Sequence, residues 1–233
     1  PETKRLLFHM ETPGGDVTGL VEACENLAKI SAMKPSAIYT GEQLCSAGYW
    51  LASAIKNNHI TAGATAAVGS IGILKIHRES SKMLENDGIK VTVLRAGKFK
   101  AELNSMEALT DEVRERALAQ IADVHQIFRA QVAKGRPNLA AEDLAEVTEG
   151  QVFLGKKAVK AGLADSIGSF ELALNLLDKR KQPSNTSSKS KGMAMKLTPE
   201  QLAAIAAGTP LQAFGLNTDG TEMSAEQITA YNA

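Results

Sequence analysis

Ser36-Ala-Ile-Tyr-Thr-Gly-Glu-Gln-Leu-Cys-Ser-Ala-Gly-Tyr-Trp-Leu-Ala-Ser-Ala-Ile55 is the stretch from which the fold can be read. Its first five residues follow Pro35, carry no charge and read as a buried strand. Residues 46–55 carry no charge and are mostly apolar, long enough for two or three turns, and read as a helix. Ser46 therefore stands between a strand candidate and a helix candidate. Strand followed by helix is the step from which α/β proteins with parallel pairing are built.

The flanks repeat that step. Leu6–Met10 reads as a strand, and Thr12-Pro-Gly-Gly15 as a turn coming off its end. Asp16 is placed to cap a helix whose apolar face is Val17, Leu20 or Val21, Cys24, Leu27 and Ile30. Downstream, His59–Thr61, Ile71–Ile76 and Ile89–Leu94 are predicted strands. A helix over 78–86 stops at Asp87-Gly88. The clearest helix is 111–134, with Thr110 at its N-cap, Asp111 and Glu112 at the positive end of its dipole and Gly135 past its end. Its apolar positions Val113, Ala117, Ile121, Val124, Phe128 and Val132 keep to one face. An α/β domain over residues 1–178 is the expectation, with no internal repeat.

Composition narrows the function classes. The 233 residues suffice for one well-cored domain and an appendage. Lys and Arg total 26 against 26 Asp and Glu, so no global field favours nucleic acid or an anionic membrane. Cys24 and Cys45 make neither a CxxC pair nor a zinc spacing, and Cys24 falls at core positions of its helix. No metal or cofactor is expected. The longest charge-free apolar run, 60–74, is glycine-rich and shorter than the roughly 20 residues of a membrane helix. An abrupt start, with a strand within a few residues of Pro1, predicts a further N-terminal segment. From Lys179 the chain turns basic and polar, and 179–197 reads as a flexible linker. Beyond it, 198–233 reads as a short helical tail, with Thr198 at an N-cap, Pro199 at N1 and Gly208 at the end.

Three segments carry chemistry: Thr12-Pro-Gly-Gly15, Cys45-Ser-Ala-Gly-Tyr-Trp50 and Ala96-Gly-Lys-Phe-Lys-Ala101. Singly, each has an ordinary explanation as a turn, a helix cap and an exposed loop. Together they make an acyl-transfer set. A serine hydroxyl at a helix N-terminus has the free N–H of Ala47 beside it, and the helix dipole favours an oxyanion there. Glycines at a second strand end let another N–H approach closely. None of His9, His59, His77 and His125 has an evident aspartate partner in the sequence. A lysine can serve as base instead if desolvation lowers its pKa, and Lys100, after the 89–94 strand and a glycine, is placed to project toward the same edge.

These segments resemble the signal-peptide-peptidase family of serine proteases, in its lambda-type phage head-maturation branch. The signatures are Thr-Pro-Gly-Gly at 12–15, Cys-Ser-Ala-Gly at 45–48, Val-Gly-Ser-Ile-Gly at 68–72, Ala-Gly-Lys-Phe-Lys at 96–100, and Phe153-Leu-Gly-Lys-Lys-Ala-Val-Lys-Ala-Gly-Leu-Ala-Asp165. They run in order from about residue 5 to 178. The resemblance implies a Clp-protease/crotonase fold of stacked β-β-α units. It implies Ser46 as nucleophile, Lys100 as general base with Lys98 the rival, Gly15 and Ala47 as oxyanion-hole amides with Gly14 beside them, and Ser70 as the serine that supports the lysine. Thr12 stands where many relatives have serine, and the interval from Ser46 to Ser70 is slightly longer than in relatives.

The resemblance further implies a homo-oligomeric ring in which neighbouring subunits help build each site. Substrates would be capsid, portal or scaffold proteins, cut during head maturation in the bacterial host's cytoplasm, within the prohead. Met193 and Met195, near the end of the linker, look like an internal start for a scaffold region. The alternatives are a bacterial peptidase that degrades signal peptides, and a capsid scaffold protein with a degenerate protease fold. No nucleic-acid partner is expected. Small residues around Ser46 predict a narrow S1 pocket.

Overall fold

The computed structural model describes residues 3–179. The expected linker beyond Lys179, the expected helical tail over 198–233 and Met193 and Met195 lie outside the described residues.

Two sheets organise the domain. β1 (Leu6–His9), β2 (Ser36–Thr40), β4 (Ile60–Ala62) and β7 (Ser166–Ile167) form one, in that order and parallel throughout. β3 (Gln43–Cys45), β5 (Ala67–Gly69) and β6 (Val152–Leu154) form the second, with β3 and β5 parallel and β6 antiparallel to β5. Largely parallel pairing was the expectation, and it holds. β2 lies between two parallel neighbours, which explains its run of buried residues without polar alternation.

α2 (Ala47–Ala54) runs through the centre of the core, with Tyr49 and Ala52 inaccessible to solvent. On one side it packs against α1 (Leu20–Ala32), on the other against α4 (Asp111–Gly135). Trp50 of α2 stacks flat on Phe128 of α4, with ring centroids 4.5 Å apart. An added Cβ at Gly135 would sit 2.1 Å from the Ser53 carbonyl oxygen, so the close approach of α4 to α2 requires glycine there. Tyr49 donates to the Leu163 carbonyl at 2.9 Å. Beside it Arg136 pairs with Asp165, whose Oδ2 also accepts from the Ile60 N–H at 2.7 Å.

Several expected elements differ. α1 starts at Leu20 and not at Asp16, because Asp16 Oδ1 accepts from the Thr18 N–H in a local turn and Gly19 takes a left-handed conformation before the helix. Val17 and Val21 are accordingly exposed, while Cys24 is buried. The strands expected at 71–76 and 89–94 do not form. The strand of that region is β5, just upstream, and residues 71–80 and 88–94 have no regular structure around the short α3 (Ser81–Asn86). Without a strand to pair with among the described residues, alternating hydrophobicity does not make a strand. α4 is capped by Thr110 as expected, its hydroxyl accepting from the Val113 N–H, but only Phe128 and Val132 of its apolar face are buried.

Candidate active site

The first strand and the Ser46 segment are tied by a short parallel bridge. Thr12 pairs with Leu44: the Thr12 N–H donates to the Gln43 carbonyl at 2.8 Å, and the Cys45 N–H to the Thr12 carbonyl at 3.0 Å. The chain then leaves β3, passes through Ser46 and enters α2. Ser46 takes φ 51° and ψ −126°, a conformation that L-residues rarely adopt. Such strain costs of the order of 1–3 kcal/mol and survives only where the surroundings impose it. Here the Ser46 N–H donates to the Gly69 carbonyl at 2.8 Å, and its own carbonyl accepts from the Trp50 N–H at 3.0 Å in the first turn of α2. Both ends of the residue are held.

Gly14 faces it directly. A Cβ built on Gly14 would lie 2.5 Å from Ser46 Cβ, 2.9 Å from its Oγ and 3.3 Å from the Ala47 nitrogen, and Gly14 has φ 111°. Only glycine fits this position. Thr12 organises the same turn: its Oγ1 accepts from the Gly14 N–H at 3.1 Å, and its methyl occupies the space over Gly48. The N–H groups of Gly15 and Ala47 donate to no group among the described residues. Ser46 Oγ likewise makes no hydrogen bond among them. An unbonded hydroxyl thus stands at the head of a helix, beside the uncommitted N–H of Ala47.

Ser70 follows the Gly69 carbonyl that holds Ser46. It too is left-handed, at φ 52°, and its N–H donates to the Gln151 carbonyl at 2.7 Å. The structure therefore brings Ser46, Gly14, Ala47 and the start of the Ser70 turn together. It does not bring Lys100 to them. Lys100 is exposed, in a turn closed by its N–H donating to the Gly97 carbonyl at 3.1 Å, and it makes no hydrogen bond with Ser46. The strand that was to project it, 89–94, is absent. Lys98, the rival, is ion-paired with Glu112 at 3.1 Å. The loop carrying both lysines has left-handed Gly97, Ala101 and Leu103, and Leu94 just before it is 91% exposed.

The cysteines are not competing nucleophiles. Burial, with Glu25 nearby, pushes the Cys24 thiol up to about 11. Burial also pushes the Cys45 thiol up, and its Sγ is turned to the Ala67 carbonyl. His125 Nε2 is engaged with the Thr148 carbonyl at 2.8 Å. Among the described residues no cluster of His, Cys, Asp and Glu is placed to hold a metal ion. No helix among them is long and apolar enough to cross a membrane. Sequence reading passed over Glu11, which binds the turn before β3. Its signal was its position, immediately before Thr12-Pro-Gly-Gly15.

Comparison with known proteins matches residues 28–184 to the profile of peptidase family S49. The capsid assembly protease C of Escherichia phage lambda is 29% identical over 231 residues, covering 97% of this chain and 51% of the relative. The head-tail preconnector protein GP5 of Enterobacteria phage P21 is 28% identical over 176 residues, 76% of this chain and 34% of the relative. Protease 4 of Salmonella typhi is 29% identical over 180 residues, 75% of this chain and 28% of the relative. The chain thus spans about half the length of the lambda protein or less of these relatives.

Proposed function

This chain belongs to peptidase family S49, and from that premise we propose that it is a serine endopeptidase with Ser46 as nucleophile and Lys100 as general base. The observation that carries the reading is the strained Ser46, held between β3 and α2 with Gly14 against its hydroxyl. Lys100, once neutral, takes the proton from Ser46 Oγ as that oxygen attacks the peptide carbonyl. The N–H groups of Gly15 and Ala47 receive the negative oxygen of the tetrahedral intermediate, and Gly14 leaves it room. The lysine then gives the proton to the leaving amine. Water, deprotonated by the same lysine, releases the acyl group and restores Ser46. Ser70 holds the lysine in place.

A lysine in water keeps its proton at neutral pH, so the base has to be desolvated. Within one chain Lys100 is exposed, and Leu94 before its loop and Phe99 beside it in sequence are exposed as well. A neighbouring copy in a homo-oligomeric ring supplies the cover. The two sheets and their helices are compatible with the Clp-protease/crotonase fold. Likeness to the lambda and P21 proteins favours capsid, portal or scaffold proteins of a phage head as substrates, cut in the bacterial host.

Gly14→Ala follows as a sharp case. The new Cβ meets Ser46 at 2.5 Å, and φ 111° is strained for any L-residue. A displacement of about 1 Å at a reacting group can cost about 100-fold in rate, and that loss in kcat/KM is expected. Gly88→Ala, at φ 74° with open space around it, should leave kcat/KM unchanged. Equal activity in the two variants would remove Gly14 from the site. The reading as a whole is tested by treating the active protein with a fluorophosphonate and mapping the adduct by mass spectrometry. The adduct is expected on Ser46; an active protein labelled on another serine, or not at all, would overturn the assignment.

A further inference from the structure

The Glu11 carboxylate gathers backbone donors from a single turn. The N–H of Gly41 donates to its Oε1, and those of Glu42 and Gln43 to its Oε2, both of the latter at 2.9 Å. Thr40 Oγ1 adds a contact at 3.3 Å, and His9 Nε2 lies 3.2 Å from Oε1. Both carboxylate oxygens are thus committed, although the side chain remains 31% exposed. Partial burial pushes this carboxyl up, but the N–H groups of Gln43, Gly41 and Glu42 together hold it below the usual carboxylate range. A Cβ at Gly41 would come 3.1 Å from the Tyr39 hydroxyl and 3.3 Å from Glu11 Oε1, so the turn fits tightly around the acid.

The placement of this clamp matters more than its strength. Glu11 immediately precedes the turn that carries Gly14 and Gly15, and the residues it grips lead straight into β3 and Ser46. Among the described residues the Thr12–Leu44 bridge also joins the two segments, and just upstream the Met10 N–H donates to the Tyr39 carbonyl at 2.9 Å, so Glu11 lies where the β1–β2 ladder gives way to the two turns. A slip of one residue between them would move Gly14 about 3.3 Å along Ser46, the rise of one strand residue. We propose that Glu11 is a positioning residue that sets the register of the glycine turn against the nucleophile turn, and so the geometry between Ser46 Oγ and the two N–H donors. The inference rests on the Ser46 reading above.

Glu11→Gln is the test, in the full-length protein. An amide presents an NH2 group to N–H donors on one side or the other, whichever way it is turned. The expected result is a fall in kcat of about tenfold to 100-fold with KM within about twofold, since the loss lies in alignment and not in substrate binding. The rate of fluorophosphonate labelling at Ser46 should fall in parallel, because labelling needs the same alignment but no peptide substrate. Wild-type kcat and labelling in Glu11→Gln, or a raised KM with kcat unchanged, would overturn the positioning role and leave Ser46 standing. Hydrolysis persisting in Ser46→Ala would overturn both. If Glu11→Gln does not fold, Thr40→Val removes one donor from the same carboxylate at nearly constant shape. A two- to threefold lower kcat is expected there, and an unchanged kcat would again overturn the role.

Discussion

Ser46→Ala is expected to abolish peptide hydrolysis, with a loss of about 10⁴-fold or more and no loss of fold. The size follows from chemistry: without the oxygen no acyl-enzyme forms, and the remaining donors only polarise a carbonyl that nothing attacks. The preserved fold follows from structure. Ser46 Oγ makes no hydrogen bond among the described residues, and the conformation of residue 46 is imposed through its backbone, by the Gly69 carbonyl and the first turn of α2. Alanine keeps both bonds. Its melting temperature should therefore stay close to that of the wild type, while hydrolysis of a peptide substrate and fluorophosphonate labelling both vanish. Hydrolysis in purified Ser46→Ala would point to another nucleophile in this chain.

Lys100→Met should be nearly as damaging, a fall of about 10³-fold or more in kcat, because a serine hydroxyl without a base is a poor nucleophile. Methionine keeps much of the length of the side chain and removes its amine. Since Lys100 is exposed on the surface of one chain and bonded to nothing near Ser46, its partner site is proposed to lie in a neighbouring copy. That has a distinctive consequence. Equal amounts of Ser46→Ala and Lys100→Met chains, each inactive, should regain about a quarter of wild-type activity on co-assembly, the share of head-to-tail contacts that join an intact Ser46 to an intact Lys100. No recovery from co-assembled chains would place both groups in the same subunit. Activity surviving in Lys100→Met alone would turn attention to Lys98.

The helices and strands that the sequence made legible are those whose partners are local or strongly patterned. β2 was read to its ends, and α4 nearly so, because a buried apolar run after a proline and a capped amphipathic repeat need little else to specify them. Failures cluster where a neighbour decides. β3, β5 and β6 have three residues each, too few for periodicity, and exist because they pair with one another. The segments 71–76 and 89–94 carry the strand pattern but have no pairing strand among the described residues to complete it. Asp16 was read as a helix cap, yet it bonds to Thr18 two residues on and leaves the helix to begin after Gly19. Asp is suited to either role, and the left-handed glycine decided between them.

The candidate site divides in the same way. The sequence by itself determined the chemical groups: a serine at a strand-to-helix junction, glycines beside another strand end, and lysines on a glycine loop, in the order that places the chain in its family. It did so because residue type and local order carry that information. Only the tertiary structure decided that Gly14 meets Ser46 and that Glu11 ties their two turns together. It also left Lys100 exposed, with no hydrogen bond to Ser46. Those facts depend on the register between segments some 30 residues apart, which backbone hydrogen bonds set and local patterning does not record.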